Sequence, residues 1–279
     1  MSDDTPEIDF EDLDEYTEQL LIMLYSEPGV GKTAFGASAP RTLIIATERG
    51  TISAAKVHGK KYGTKVANCA GSWKKIVAAY EKLESNPKIV DGLDWIVIDT
   101  ATEMHRLNLR DIVETRCADP TAKSQNPHKV YQDEYGEQQV RFADYFSKFN
   151  SLGPNVLWLC HVERTEDEYG DQFLRPDIHG QKGKLSAWIS AQNYAVGYMT
   201  PEQRKKSDGS LVDVRVINWK GSKEIRAKDR FQALGGRTVD KTLEQITNMI
   251  YDACAVPDDE PAKPARKAPA KKAAPAAAK

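Results

Sequence analysis

Ser26-Glu27-Pro28-Gly29-Val30-Gly31-Lys32-Thr33 is the stretch on which the reading of this chain turns. Before it runs Leu20-Leu21-Ile22-Met23-Leu24-Tyr25, short and wholly apolar, which predicts a buried parallel strand. Pro28 and Gly29 break the strand, and Gly31 lets successive backbone N–H groups turn toward one anion. Thr33 to Ala39 then opens a helix rich in small residues, and its N-terminal dipole favours the same anion. In such an arrangement Lys32 is expected to reach β- and γ-phosphates, and the Thr33 hydroxyl to hold Mg²⁺. Ser26, Glu27, Pro28, Gly29, Val30, Gly31, Lys32, Thr33 and Ala34 are therefore the expected ATP-binding residues. Ser26 stands where the usual pattern for such loops has Gly, but Gly31-Lys32-Thr33 carries the phosphate chemistry.

Working outward, Thr42 to Thr47 is a second apolar, β-branched run that ends at Glu48. Leu93-Asp94-Trp95-Ile96-Val97-Ile98-Asp99 is a third strand, four bulky residues leading into an acid. An acid at the carboxyl end of a buried parallel strand lies where open α/β sheets bind ligands, so Asp99 joins Thr33 as an expected metal residue. The alternative for Asp99 is an ordinary cap on the helix that follows. Asn155 to Cys160 forms a fourth strand, after Gly153-Pro154, and ends at His161. Glu48 at its strand end is the expected general base for an attacking water, with Glu103 as its competitor. His161 on the same edge is expected to hydrogen-bond the γ-phosphate and report it to the following loop.

Amphipathic helices are predicted over Ser72–Glu84, Thr100–Val113 and Val130–Phe149. After a polar hairpin turning at Tyr169-Gly170-Asp171 come a short helix over Lys184–Gln192, two alternating strands near Tyr194–Met199 and Leu211–Trp219, and a last helix over Val239–Cys254. Strands alternating with helices predict an α/β fold, a mostly parallel sheet flanked by helices with antiparallel edge strands.

The composition, 40% hydrophobic and 29% charged over 279 residues, is that of a chain with a real core. A net charge of −2 conceals two opposed ends. Residues 1–18 carry Asp3, Asp4, Glu7, Asp9, Glu11, Asp12, Asp14, Glu15 and Glu18 without Lys or Arg, whereas Lys263, Arg266, Lys267, Lys271, Lys272 and Lys279 dominate a Pro/Ala-rich end. The expected organisation is an acidic segment 1–18, an ATPase domain 19–255 and a disordered basic tail 256–279. Cys69, Cys117, Cys160 and Cys254 are scattered without metal-ligand spacing, which points to reduced thiols. No apolar run approaches the ~20 residues of a bilayer span, so no membrane role is expected, and the location expected is cytoplasmic.

The order of parts resembles the RecA-like ATPase core: the loop Ser26–Thr33, then Glu48, Asp99 and His161 after successive strands. Within that group it is most similar to compact phage ATPases of the Sak type, which act in single-strand annealing and recombination. The resemblance spans about Leu20 to Arg237. It implies a RecA-like P-loop NTPase fold, a phage protein working in the host cytoplasm, Glu48 as base and His161 as phosphate sensor. His161 departs from RecA itself, which uses an amide side chain there. The resemblance further implies that Lys228 and Arg230, with Lys223 and Arg226 in reserve, reach the ATP of a neighbouring subunit, so that the working form is a homo-oligomer with inter-subunit sites. It also places DNA-binding loops at about Arg116–Lys129 and Arg164–Lys184, the second with Arg175, His179, Gln181, Lys182 and Lys184 as candidates for single-stranded DNA. The basic tail is expected either to add DNA affinity, or to meet an acidic partner such as a single-strand-binding protein, or to be a solvated linker.

No guanine-recognition motif of the Asn-Lys-x-Asp kind occurs in the chain, which favours ATP over GTP. Two other readings stay open on sequence alone. One is a nucleotide-gated DNA- or protein-binding module with little turnover, the other a P-loop kinase of a small molecule with a lid near Arg204-Lys205-Lys206.

Overall fold

The structure, a computed structural model, describes residues 19–51, 58, 60–180 and 183–255. The acidic segment, the basic tail and the DNA candidates Gln181 and Lys182 lie outside the described residues.

Strand β1 (Leu21–Ser26) shows how the sheet is built. Its side chains alternate in direction. Ile22 and Leu24 join one core cluster with Phe35, Val97 and Ile246, while Met23 and Tyr25 join another with Trp73, Phe142 and Trp158. Because both faces are covered, such strands are apolar at every position rather than at every second one. The chain continues through α1 (Lys32–Gly36), β2 (Thr42–Ala46), β3 (Lys65–Asn68), α2 (Trp73–Glu84), β4 (Trp95–Asp99), α3 (Ala101–Ala118) and α4 (Gln132–Asn150). It then forms β5 (Asn155–Glu166), β6 (Gln172–Pro176), α5 (Lys184–Gln192), β7 (Ala195–Lys205), β8 (Leu211–Asn218), β9 (Lys228–Asp229), β10 (Arg237–Val239) and α6 (Leu243–Cys254). Helices α2, α4 and α5 pack with Trp158 and Met23 on one face; α1 and α6 cover the other.

The strand order is β10-β8-β7-β1-β5-β4-β2-β3, with β6 beside the end of β5 and β9 beside the start of β7. Pairs β1–β5, β1–β7, β4–β5, β2–β4 and β2–β3 are parallel. Strands β8 and β10 close one edge antiparallel. This is the mostly parallel α/β sheet with antiparallel edges that the sequence predicts.

Some boundaries differ. β5 does not stop at His161 but runs to Glu166, since residues after His161 leave the main sheet to pair antiparallel with β6. The edge strand β3 escapes the sequence reading because three of its four residues are exposed and polar or small positions dominate it. The last helix starts at Leu243, where the Thr242 hydroxyl accepts from Gln245 N and the Gln245 side chain accepts from Thr242 N.

One consequence of the order matters for the site. β5 lies between β1, which leads into the Ser26–Thr33 loop, and β4, which ends at Asp99. Ser26 is in register with His161, Leu159 with Asp99, and Asp99 with Ala46, two residues before Glu48. Four neighbouring strands thus bring Lys32, His161, Asp99 and Glu48 to one edge.

Candidate active site

Gly31 adopts φ +108°, a conformation that side chains oppose, and this turns the loop into α1. Lys32 is buried, 6% exposed, and its Nζ donates to Ser26 O (2.9 Å), Ser26 Oγ (3.0 Å) and Glu27 O (3.1 Å). The loop therefore wraps its own ammonium with neutral oxygens. Burial lowers the Lys32 pKa, opposed by nearby Cys160, Asp99, Glu48 and Glu27. Helix α1 lies close on the sheet at Gly36, where a Cβ would stand 2.9 Å from Val97 Cγ1.

Asp99 is 1% exposed. Its Oδ2 accepts from the Thr33 hydroxyl at 2.8 Å, while Oδ1 is buried without a hydrogen-bond partner. Burial, with Glu48 adding to it, pushes the carboxyl up to about 6 against the Thr33 hydrogen bond and the Lys32 charge. An orphaned buried carboxylate oxygen beside a hydroxyl is the donor set of a hard divalent cation, so Thr33 and Asp99 fit Mg²⁺. The alternative role of helix cap falls to Thr100, whose Oγ1 accepts from Glu103 N. Thr47 holds this corner: its N donates to Asp99 O, its hydroxyl donates to Thr100 O and accepts from Thr100 N, each at 2.8 Å. The Asp99–Thr100 peptide bond is cis.

Across the cleft, His161 Nε2 stands 3.3 Å from Glu48 Oε2. The cleft, about 340 Å³, is lined by loop residues together with Glu48, Arg49, Thr51, Asp99 and His161. Glu103 is not among its lining residues; it sits beside Arg106 (3.9 Å), and burial raises its carboxyl pKa. The backbone of His161 is tied outward. Its N donates to Thr102 Oγ1 (3.0 Å), its O accepts from Asp177 N (2.9 Å), and the Thr102 hydroxyl donates to Asp177 O (2.8 Å).

The other predicted residues lie elsewhere. Lys228 and Arg230 both donate to Ala191 O, at 3.0 and 2.9 Å, at the C-terminal end of α5. Lys228 pairs in register with Val196 and Val196 with Met23, so the pair sits three residues upstream of the loop, about 10 Å along the strands. It lines a separate, larger pocket and does not line the cleft. Two DNA candidates are engaged by carboxylates: Arg175 donates to Glu163 (2.8 Å), and His179 lies 3.1 Å from Asp177. Lys184 is exposed at the start of α5. Glu163, Asp177 and His179 bring ligand atoms within 4.8 Å of one another, but Arg175 and Arg106 already face those carboxylates.

Sequence reasoning missed Thr47 and Thr102, whose partners are distant in the chain, and Arg215. A Cβ on Gly31 would stand 3.2 Å from Arg215 Cδ, which places a β8 cation over the loop. Nothing local to Arg215 signals this, because β8 reaches the loop only through β7.

A family model described as an AAA domain matches residues 18–231. The chain belongs to the AAA domain family. The match takes in the loop, Glu48, Asp99 and His161 in one AAA domain and ends just past Lys228 and Arg230, and an AAA domain points to a nucleotide-binding P-loop protein of the ATPase kind. A search of curated proteins finds no match. Among the described residues, no helix of the AAA domain is long and apolar enough to cross a membrane.

Proposed function

We propose that this AAA domain is a Mg²⁺-dependent ATP hydrolase that binds single-stranded DNA and assists annealing or recombination in phage DNA replication or repair. One observation supports turnover above all: the Glu48–His161 pair faces the Thr33–Asp99 pair across one cleft, with Lys32 between them on the loop. Lys32 and the loop N–H groups bind phosphate oxygens. Glu48 orients and deprotonates the attacking water, and the imidazole of His161 holds its carboxylate in place. Thr33 and Asp99 hold Mg²⁺, which supplies neutralisation of phosphate charge when bound.

The same reading makes His161 a relay. Its backbone is bonded to Thr102 and Asp177, at the root of the segment leading to Lys184, so a change at the phosphate shifts the surface we assign to DNA. Lys228 and Arg230 do not line their own cleft, which supports their action on the nucleotide of a neighbouring copy in a homo-oligomer. A single-strand-binding protein is the partner proposed for the basic tail.

The test is ATP hydrolysis by the purified chain with and without single-stranded DNA, with Lys32→Ala as control. DNA-stimulated hydrolysis that vanishes in the variant supports the proposal. Hydrolysis indifferent to DNA removes the recombination reading, and nucleotide binding without turnover leaves a gated binding module.

A further inference from the structure

A pocket of about 570 Å³, larger than the nucleotide cleft, lies apart from it. Its floor is apolar, with Phe173, Pro176 and Val196, and its rim carries Arg226, Lys228 and Arg230. Among the described residues, none of these three cations has a carboxylate within ion-pair distance. The Arg226 guanidinium lies 4.2 Å over the Phe173 ring, and Lys228 and Arg230 share the single carbonyl of Ala191. Burial and the adjacent Arg230 pull Lys228 down to about 8, the mark of positive charge held together without an anion. A pocket of this kind fits an anionic segment that also brings apolar side chains.

Such a segment belongs to the chain itself. Residues 1–18 carry nine carboxylates and no Lys or Arg, and Phe10, Leu13 and Tyr16 recur every third residue among them. The attachment point is close. Tyr194 N donates to Leu21 O, and Arg230 N donates to Tyr194 O, so Leu21 and Arg230 are two strand spacings apart, about 10 Å. The Gln19 amide bonds to Asn150 O at the end of α4, the helix that packs on α5 through Phe146 and Trp188. The chain therefore enters β1 on the pocket's side of the sheet. Eighteen residues reach up to about 60 Å when extended, and a tether this short gives an effective concentration of about millimolar.

We infer that the acidic segment 1–18 docks into the Arg226–Lys228–Arg230 pocket of its own chain, its carboxylates on the cations and its Phe10 and Leu13 side chains against Phe173 and Val196. The inference does not rest on Lys228 and Arg230 serving a neighbouring nucleotide; if they do, the docked segment withholds them until it is displaced.

The experiment is zero-length carbodiimide cross-linking of the full chain, using a mixture of isotopically light and heavy protein, with adducts mapped by mass spectrometry. The expected result is an amide between Lys228 and a carboxylate of residues 1–18, formed within light or within heavy chains only. Phe10→Ser with Leu13→Ser should lower that adduct about tenfold, a loss of about 1.4 kcal/mol. Light–heavy adducts would assign the pocket to a second copy and overturn docking within one chain. Adducts no richer at Lys228 than at the exposed Lys205 and Lys206, or unchanged by the double substitution, would overturn docking altogether.

Discussion

His161 Nε2 lies 3.3 Å from Glu48 Oε2, although 113 residues separate them in the chain. They meet because β5 passes between β1 and β4 while β2 lies just beyond β4, so two strand ends converge over the phosphate loop. In the function proposed above, the imidazole would aim the carboxylate, and the carboxylate would fix the ring of the residue whose backbone is bonded to Thr102 and Asp177.

Glu48→Gln should lower the rate of ATP hydrolysis by about 10²–10⁴-fold with nucleotide affinity little changed, because the amide keeps the shape but cannot take a proton. Glu103→Gln should leave the rate within about threefold, a small barrier change. Steady-state hydrolysis beside fluorescent-nucleotide binding checks both.

Asp99→Asn should remove the Mg²⁺ dependence of nucleotide binding and yet stabilise the nucleotide-free protein. The folded carboxyl holds its proton up to about pH 6, against an ordinary 3.8. Ionised Asp99 therefore disfavours the fold above pH 6, by up to about 3 kcal/mol, and the cost disappears as pH falls below 3.8. Urea unfolding of both proteins should show a gap of about 2 kcal/mol at pH 7.5 that closes toward pH 4.

Gly31→Ala should be damaging twice over. The backbone at φ +108° opposes a side chain, and the new methyl would meet Arg215 Cδ at 3.2 Å. A stability loss of about 1–3 kcal/mol and loss of nucleotide binding are expected. Arg215→Ala added to it should recover part of the stability and none of the binding, as measured by thermal melting and nucleotide titration.

Thr102→Val removes the hydroxyl that accepts from His161 N and donates to Asp177 O. The orphaned groups should cost about 1–3 kcal/mol. ATP binding should persist while stimulation of hydrolysis by single-stranded DNA falls toward one, because the link between sensor and DNA loop is cut. Retained stimulation would remove that link from the proposal.

Arg230→Ala should bind ATP normally and hydrolyse it poorly. Mixing it with Lys32→Ala should restore activity, since each variant supplies what the other lacks across a shared interface. Absence of any recovery in mixed assemblies would count against inter-subunit sites.

The candidate site was legible to an unusual extent because its parts are local. A strand, a glycine turn and a helix N-terminus are consecutive in sequence, and an acid or His at the end of an apolar run needs no partner to be noticed. The choice between Glu48 and Glu103 was not local. Both follow a strand, and only the packing of α3 shows Glu103 turned toward Arg106 and Glu48 facing the cleft. The capping role open to Asp99 went to Thr100 for a similar reason: which residue begins a helix depends on where the strand before it stops pairing.

By itself, the sequence determined the α/β class, the phosphate loop and the strand-end residues around it, because hydrophobic periodicity and turn chemistry act over a few residues. Only the tertiary structure decided strand order, and with it everything that depends on neighbours across the sheet. It placed Thr47 under Thr100, Arg215 over Gly31, and Arg175 and His179 against acids. It also carried Lys228 and Arg230 away from their own cleft to the pocket where the chain enters the sheet. Contacts such as Thr47 with Thr100, Gly31 with Arg215 and Lys228 with Ala191 join residues far apart in the chain, and no local pattern of side chains encodes which of them will meet.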